Sequence, residues 1–538
     1  MRYSLNLFTW FATALFTVPL LLVFSSVINI DTEVWQHLAS TVLSDYIVNS
    51  LILAIGTGVG CIIIGTYLAW VMVHYTFFGK RLLNVLILLP LAMPAYIIAY
   101  TYTGLLDFSG PTQNLLRVWF NAPAQQAMLP DIRNVSGAVV MMILVLYPYV
   151  YLLARTAFKE QSAQFYAVAQ LSNVSRLQYF KQIALPLARP AIVTGAALAM
   201  MESLADYGTV AYFGISTFTT GIYRTWFGMG NLAAASQLAS MLCVFVLVLL
   251  LIEKRSRVNA NRYQSRQHKG AKARHIRGWQ GGMLFVLCVL PPLFGFVIPF
   301  MQLLVWSVEY YQNDIMKGYW PLLYTSLQLA AISTFVIVGF ALLISYAKRL
   351  HSTKAKEFST QFMSLGYALP GVVIAVGIVQ VAGQFDIGIN AVLNYLFGYQ
   401  PGLVLSGSIA ILVFAYAVRY LSVALQNTET GLARIKPNID EVASVLGSSK
   451  TRTLRRIHLP LLSTSLISAS ILVFVDVLKE LPATLILRPF NVNTLAVKTF
   501  ELASDERLID AALPAVSIVF AGLIPIIILT MNLEKSSA

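Results

Sequence analysis

Charged side chains are scarce in this sequence. Asp, Glu, Lys and Arg make up 11% of its 538 residues, where a soluble chain carries about 25%. So few charges cannot cover a folded surface of this size in water, which excludes a soluble enzyme of several domains. Hydrophobic residues reach 58%, which excludes disorder. Cysteine is scarcer still. Cys61, Cys243 and Cys288 each sit in an apolar run and form no pair motif, so they read as small packing residues. A disulfide framework and a thiolate zinc site are excluded. The six histidines (His37, His74, His268, His275, His351 and His458) are scattered over loops and span ends, so no metal-ligand cluster supports a membrane enzyme. No G-x-x-x-x-G-K-[ST] loop is present, so the chain cannot cradle ATP in that way. The short alternating strands of a membrane β-barrel are missing too. What the sequence has in quantity is long, continuous apolar runs, and these predict an all-α polytopic membrane protein.

A spanning helix needs about 20 mostly apolar residues. Twelve runs qualify: 7–29, 47–73, 84–105, 137–157, 188–212, 230–252, 281–307, 321–347, 362–384, 403–425, 461–485 and 508–532. The first is too long for a signal-peptide core and lacks a clear cleavage site after it, so it reads as an uncleaved span. The net charge of +14 is concentrated. Between Glu253 and Gly278 lie Lys254, Arg255, Arg257, Arg262, Arg266, Lys269, Lys272, Arg274 and Arg277. Such a loop is a cytoplasmic topology signal rather than a nucleic-acid site. With the N-terminus inside, 29 of the 37 Lys and Arg residues fall in predicted inner pieces, and both ends are predicted cytoplasmic. Trp35, Trp226, Trp279, Trp306 and Trp320 fall near span ends, where an aromatic belt belongs.

The basic loop divides an internal repeat. Asn49-Ser50-Leu51 matches Thr325-Ser326-Leu327, and Met93-Pro94 matches Leu369-Pro370, both at an offset of 276. Ile183-Ala-Leu-Pro186 matches Ile457-His-Leu-Pro460, Glu202 matches Asp476, and Asp206 matches Glu480, all at 274. The predicted organisation is a first six-span domain (1–253), a basic linker (254–279) and a second six-span domain (280–538). Equal numbers of spans with the same inside start make the repeats parallel. They are related by a pseudo-twofold axis along the membrane normal, on which a pathway should lie.

The longest inner loop of each half, 158–187 and 428–461, precedes its fifth span. In the second, Asn438 is a candidate N-cap, Asp440 and Glu441 occupy the first turn, and Gly447 suits a left-handed C′ position. Ser448 or Ser449 can cap a second helix running to Pro460. The pattern Glu441-Val442-Ala443, Gly447, Ile457, Leu459, Pro460 resembles the EAA loop of bacterial ABC-importer permeases, departing only at Val442, where the family has alanine. The first half carries a degraded copy: Ala167-Val168-Ala169, Asn173, Ile183, Leu185 and Pro186. The resemblance implies two tandem type I permease domains, and coupling helices that seat on two copies of a cytoplasmic ABC ATPase. ATP and Mg would be bound by that partner, with no cofactor on this chain and no enzymatic activity of its own. Loss of the acid at Ala167 predicts that the second loop dominates.

Each fifth span carries two carboxylates four residues apart, Glu202 and Asp206 in the first half, Asp476 and Glu480 in the second. The spacing predicts one helix face for each pair. Acids at this depth face a cavity or a partner. They suit a transient pathway for a hard cation. They also suit structural pairing with Lys479, Arg224 or Arg488. Pro482 should break or kink its helix. The stretches from Glu202 to Thr209 and from Asp476 to Phe490 resemble fused permeases for ferric iron. That resemblance implies a periplasmic ferric-ion-binding protein as outer partner, alternating access across the bacterial inner membrane, and no stable metal site. Tyr96, Tyr100 and Tyr102 are candidates for passing contacts or for belt residues. The outer loops near 106–136, 213–229, 385–402 and 486–507 should carry the docking surface. Permeases for thiamine, aminoalkylphosphonate or polyamine share the plan. A secondary transporter has no reason to keep paired loops ending Ile-x-Leu-Pro.

Overall fold

The computed structural model describes residues 2–28, 32–161, 175–260, 274–311, 318–350 and 353–535. Among them, eleven helices are long and apolar enough to cross a membrane. In order they are Leu7–Ile28, Leu43–His74, Val135–Glu160, Leu177–Ala205, Leu232–Arg255, Trp279–Glu309, Tyr319–Leu350, Gly371–Phe397, Ile409–Arg434, Lys450–Leu478 and Leu508–Ile528. The third of the twelve predicted spans is a bent pair, Lys80–Ala92 and Ala95–Phe120, at 95° to one another. The polytopic all-α fold therefore stands, and all twelve runs are helical. The sole sheet among the described residues is two residues wide: Tyr75–Thr76 pairs in parallel with Arg274–His275, at the end of the basic linker.

Several boundaries move, each for a local reason. The ninth span starts at Gly371 rather than 362. A separate helix (Lys354–Met363) and a 3-10 turn (Ser364–Ala368) come first. Pro370 then forces Leu369 into an extended conformation, ending one helix and opening the next. The first half does the same: Lys80–Leu86, a 3-10 turn at Leu89–Ala92, extended Met93, then Pro94. Apolar composition runs straight across both breaks, so hydropathy cannot see them. The tenth span ends at Arg434 rather than 425, and Arg419 lies well inside it. Arg155 is likewise buried in the fourth span, bonded to Tyr151 Oη and Asn84 Oδ1, both at 3.1 Å.

The fifth and eleventh spans begin well before their expected starts. Leu177–Ala205 and Lys450–Leu478 run straight through Pro186 and Pro460. An interior proline lacks an N–H and its ring meets the carbonyl four residues back. Here a π-turn precedes each proline: Phe180–Ala184, closed by Leu185 N–H to Phe180 O, and Leu454–His458, closed by Leu459 N–H to Leu454 O. One extra residue in the turn shifts the bonding register, so the helix axis continues. The seventh span repeats the device with Leu293–Val297 ahead of Pro299.

The chain forms two compact units that do not coincide with the sequence halves 1–253 and 280–538. One comprises Met1–His37, Ile222–Met241 and Ile315–Lys498; the other comprises Leu38–Gly221, Leu242–Asp314 and Thr499–Ala538. Each therefore combines four consecutive spans of one half with the leading span of the other. In the first unit, the leading span lays Phe16 against Phe340 and Phe414, ring centroids 5.8 Å apart in both pairs. Its Pro19 carbonyl approaches Gly377 so closely that a Cβ there would lie 2.4 Å from the oxygen. In the second unit, Tyr102 donates to Phe294 O of the seventh span at 2.7 Å.

Within the second unit the fourth span is clasped by two glycines. A Cβ at Gly65 would lie 2.7 Å from Val150 Cβ, and one at Gly195 would lie 2.7 Å from Val150 Cα. Small residues let helix backbones approach where lipid offers no competing hydrophobic drive. The repeat keeps Ala341 and Ala469 at the matching positions. Gly65→Val and Gly195→Val are each expected to abolish recovery of monodisperse protein after detergent extraction. Gly339→Val, at a glycine with open space around it, should be recovered normally.

Candidate functional site

Both fifth spans of the repeat end in a break, and an acid sits in each. In the first half the helix stops at Ala205 and Asp206 is extended, with φ −67° and ψ 134°. Its Oδ2 accepts the backbone N–H groups of Thr209 at 3.0 Å and Val210 at 3.2 Å, while Oδ1 accepts Thr209 Oγ1 at 3.1 Å. Asp206 thus caps the short helix Gly208–Tyr212, and Thr219 Oγ1 donates to its carbonyl at 2.7 Å. In the second half the helix stops at Leu478. Glu480 Oε1 accepts the N–H of Ala483 at 2.9 Å, capping Pro482–Leu487. Pro482 opens that helix rather than kinking the one before it. The expectation of two carboxylates on one helix face is corrected. Only Glu202 and Asp476 are on the long helices, because a carboxylate that can satisfy free N–H groups competes with helix continuation.

Glu480 has further partners. Tyr420 Oη donates to its Oε2 at 2.7 Å, and the Arg419 guanidinium lies 3.3 Å away. The two charged side chains are 3% and 11% exposed respectively. Gly371 makes room for them, since a Cβ there would lie 2.1 Å from Arg419 Nη1. Asp476 pairs with Lys479 at 2.8 Å, one of the structural partners the sequence offered. Arg419, the partner of the more buried acid, was not among the structural partners the sequence offered. No group of three or more His, Cys, Asp or Glu is placed to hold a metal ion among the described residues. The tyrosines of the third span are neither belt nor exposed: Tyr96, Tyr100 and Tyr102 are buried, and Tyr100 donates to Ala511 O at 3.4 Å. Trp306 is also buried, stacked on Tyr100.

The second inner loop folds as a helix, Pro437–Val445, a tight turn, and the start of the eleventh span. Lys436 rather than Asn438 is the N-cap, because Pro437 is fixed in φ and needs no N–H partner at the first helical position. Gly447 adopts φ +73°, with Ser448 N–H bonded to Ala443 O at 2.9 Å, which is the expected left-handed close. Ser449 then caps the next helix through Arg452 N–H. Ala443 is the only fully buried side chain of this helix. Glu441 faces solvent beside Val442, Val445 and Leu446, which are 57%, 87% and 79% exposed. The helix thus presents a single-turn exposed apolar patch with one acid.

The loop is fastened by residues the sequence reading did not single out. Arg349, at the end of the eighth span, donates to Asp440 Oδ2 at 2.7 and 2.9 Å and to the carbonyl of Ile435 at 3.0 Å. It also donates to the carbonyl of Leu432. Asp440 Oδ1 lies 2.8 Å from His458 Nε2. Tyr346 Oη donates to Lys450 O at 2.8 Å. Ile457, Leu459 and Pro460 belong to the π-turn and the helix above it. In the first loop Ala167, Ala169 and Asn173 lie outside the described residues. Ile183 and Pro186 sit at the matching π-turn, where the Trp70 ring packs against Phe180, Phe158 and Tyr179.

The repeat is also written in a hydrogen bond. Ser50 Oγ accepts the N–H of Phe218 at 3.2 Å, and Ser326 Oγ accepts the N–H of Leu495 at 2.8 Å.

The sequence matches, over residues 61–254 and again over 337–536, the family described as binding-protein-dependent transport system inner membrane component. A Fe(3+)-transport system permease protein of Haemophilus influenzae is 25% identical over 535 residues, covering 95% of this chain and 96% of that protein. A putative 2-aminoethylphosphonate transport system permease protein of Salmonella paratyphi A is 27% identical over 43% of this chain and 79% of its own length. A sulfate transport system permease protein of Salmonella typhimurium is 28% identical over 28% of this chain and 51% of its own.

Proposed function

The chain belongs to the family of binding-protein-dependent transport system inner membrane components, and from that premise we propose that it is the fused permease of an ATP-driven importer for ferric iron. It receives the ion from a periplasmic binding protein and passes it inward by alternating access. Two copies of a cytoplasmic ATPase drive the cycle, seated on the loops at 158–187 and 428–461, with both chain ends on their side of the membrane. The observation that carries the coupling is the exposed face Glu441, Val442, Val445 and Leu446, set beyond a glycine turn and fastened to the eighth and eleventh spans. The choice of iron is supported by the near full-length likeness to the ferric permease protein; the phosphonate and sulfate relatives cover less of the chain.

On this reading the membrane carboxylates offer oxygen to a hard cation in passing. Asp206 and Glu480 cap the short helices past the breaks, while Glu202 and Asp476 are carried on the long helices. The test is ATP hydrolysis by the permease reconstituted in lipid with its ATPase, adding binding proteins with and without ferric iron. Stimulation by the iron-loaded protein alone is expected, with Glu202→Gln and Asp476→Asn each lowering it severalfold. Stimulation by a phosphonate- or thiamine-loaded protein instead would keep the architecture and overturn the substrate.

A further inference from the structure

Helix Pro437–Val445 has little apolar contact to hold it. Ala443 is buried, and Ile439 is partly buried against Leu432, Ile435 and Leu462. What fixes its position is charge. Arg349 bridges two elements at once: its guanidinium donates to carbonyls at the end of the tenth span, Leu432 and Ile435, and to Asp440 on the loop helix. The Leu432 carbonyl already accepts the cap N–H of Ile435 and the Ile435 carbonyl lies just past the helix, so a guanidinium there completes the end of the span. The second oxygen of Asp440 faces His458, the last residue of the π-turn in the eleventh span. That span ends, at its other end, in the break occupied by Glu480.

We propose that Arg349, Asp440 and His458 form a joint that transmits movement of the second loop helix to the eighth, tenth and eleventh spans, and that only the second half has it. This rests on reading the loop as the ATPase-coupling element. The second clause follows from the repeat. At the offsets of 276 and 274, Val73, Tyr166 and Ala184 stand where Arg349, Asp440 and His458 stand in the second half, and none of the three carries a charge. The first half instead packs Trp70, the counterpart of Tyr346, among aromatic rings. An apolar contact can slide by small amounts at little cost. A guanidinium whose Nε and Nη2 both donate to Asp440 Oδ2, while Oδ1 faces His458, holds the carboxylate from two sides and resists separation. The three are positioning residues, acting through the helix that bears the docking face.

The test uses the full chain reconstituted in lipid with its ATPase and iron-loaded binding protein, comparing Asp440→Asn, Asp440→Glu, His458→Gln and Val73→Ala. The readouts are iron transported per ATP hydrolysed by the unlabelled protein and, separately in the permease without its ATPase, the mobility of a spin label at Val445→Cys. Cys61, Cys243 and Cys288 are buried, so the label reports the new thiol. Asp440→Asn is expected to lower transport per ATP at least tenfold and to raise label mobility. Asp440→Glu should recover most of both, and Val73→Ala should change neither. Transport per ATP unaltered in Asp440→Asn, or lost equally in Asp440→Glu, overturns the joint. If Asp440→Asn does not assemble, His458→Gln decides: a tenfold fall supports the proposal and wild-type coupling overturns it. Should Glu441→Arg in the same assay leave coupling intact, the coupling-loop reading itself has failed, independently of the joint.

Discussion

Replacing Glu480 by alanine is expected to destabilise the protein by about 3–5 kcal/mol, the range for breaking a buried ion pair from one side. The change strips three bonds at once. The Arg419 guanidinium, 11% exposed, loses its carboxylate; Tyr420 Oη loses its acceptor; and the N–H of Ala483 loses its cap. Asp206→Ala makes the contrast. It removes a cap from Thr209 and Val210, a change worth about 1–2 kcal/mol. Glu480→Gln should fall between, since an amide oxygen can still accept from Ala483 or Tyr420 but carries no charge. The three buried free cysteines make the measurement direct: a thiol-reactive dye reports their exposure on heating in detergent. Melting temperatures should fall in the order wild type, Asp206→Ala, Glu480→Gln, Glu480→Ala. Glu480→Ala melting together with Asp206→Ala would show that the pair with Arg419 contributes nothing beyond the cap.

Leu446→Asp is expected to weaken binding of the ATPase about 30- to 1,000-fold, the range for a central apolar contact worth about 2–4 kcal/mol. Leu446 is 79% exposed and follows the last turn of the loop helix, next to Gly447 at φ +73°. An apolar side chain so placed gains most from burial against a partner, and a carboxylate there would be trapped without water. Glu441→Arg should act in the same direction by reversing the one charge on the face. Adding an acid to the first loop through Ala167→Glu should strengthen its share of coupling. Binding is read by co-purification and surface titration, and coupling by stimulated ATP hydrolysis. Normal affinity in both Leu446→Asp and Glu441→Arg would remove the docking role from this face.

The twelve apolar runs, the repeat and the inner loop with its glycine turn are legible in the sequence, because each is a local pattern. A span shows itself by twenty apolar residues. A left-handed turn shows itself by a glycine at a fixed distance from a helix, and Gly447 is where that pattern puts it. Partnerships across long separations leave no such mark. Nothing in the sequence pairs Arg419, inside the tenth run, with Glu480, 61 positions on. Arg349 stands 91 positions from Asp440, and the 18 positions to His458 cross the turn at Gly447, so neither separation marks a contact. Prolines misled in the opposite sense. Pro460 reads as a helix end, yet a π-turn absorbs it, as another does Pro186.

Composition by itself thus determined the environment, the fold class and the number of spans, since the solvent a chain can tolerate depends on how much apolar surface it carries, whatever its shape. The loop spacing by itself determined the family. Tertiary structure alone decided which spans form each compact unit, with the leading span of one half packed among four of the other. It also decided what the buried acids do. A carboxylate in an apolar setting must take the nearest donors, and only the folded chain specifies that these are the N–H groups of a broken helix and, for Glu480, a guanidinium from the tenth span.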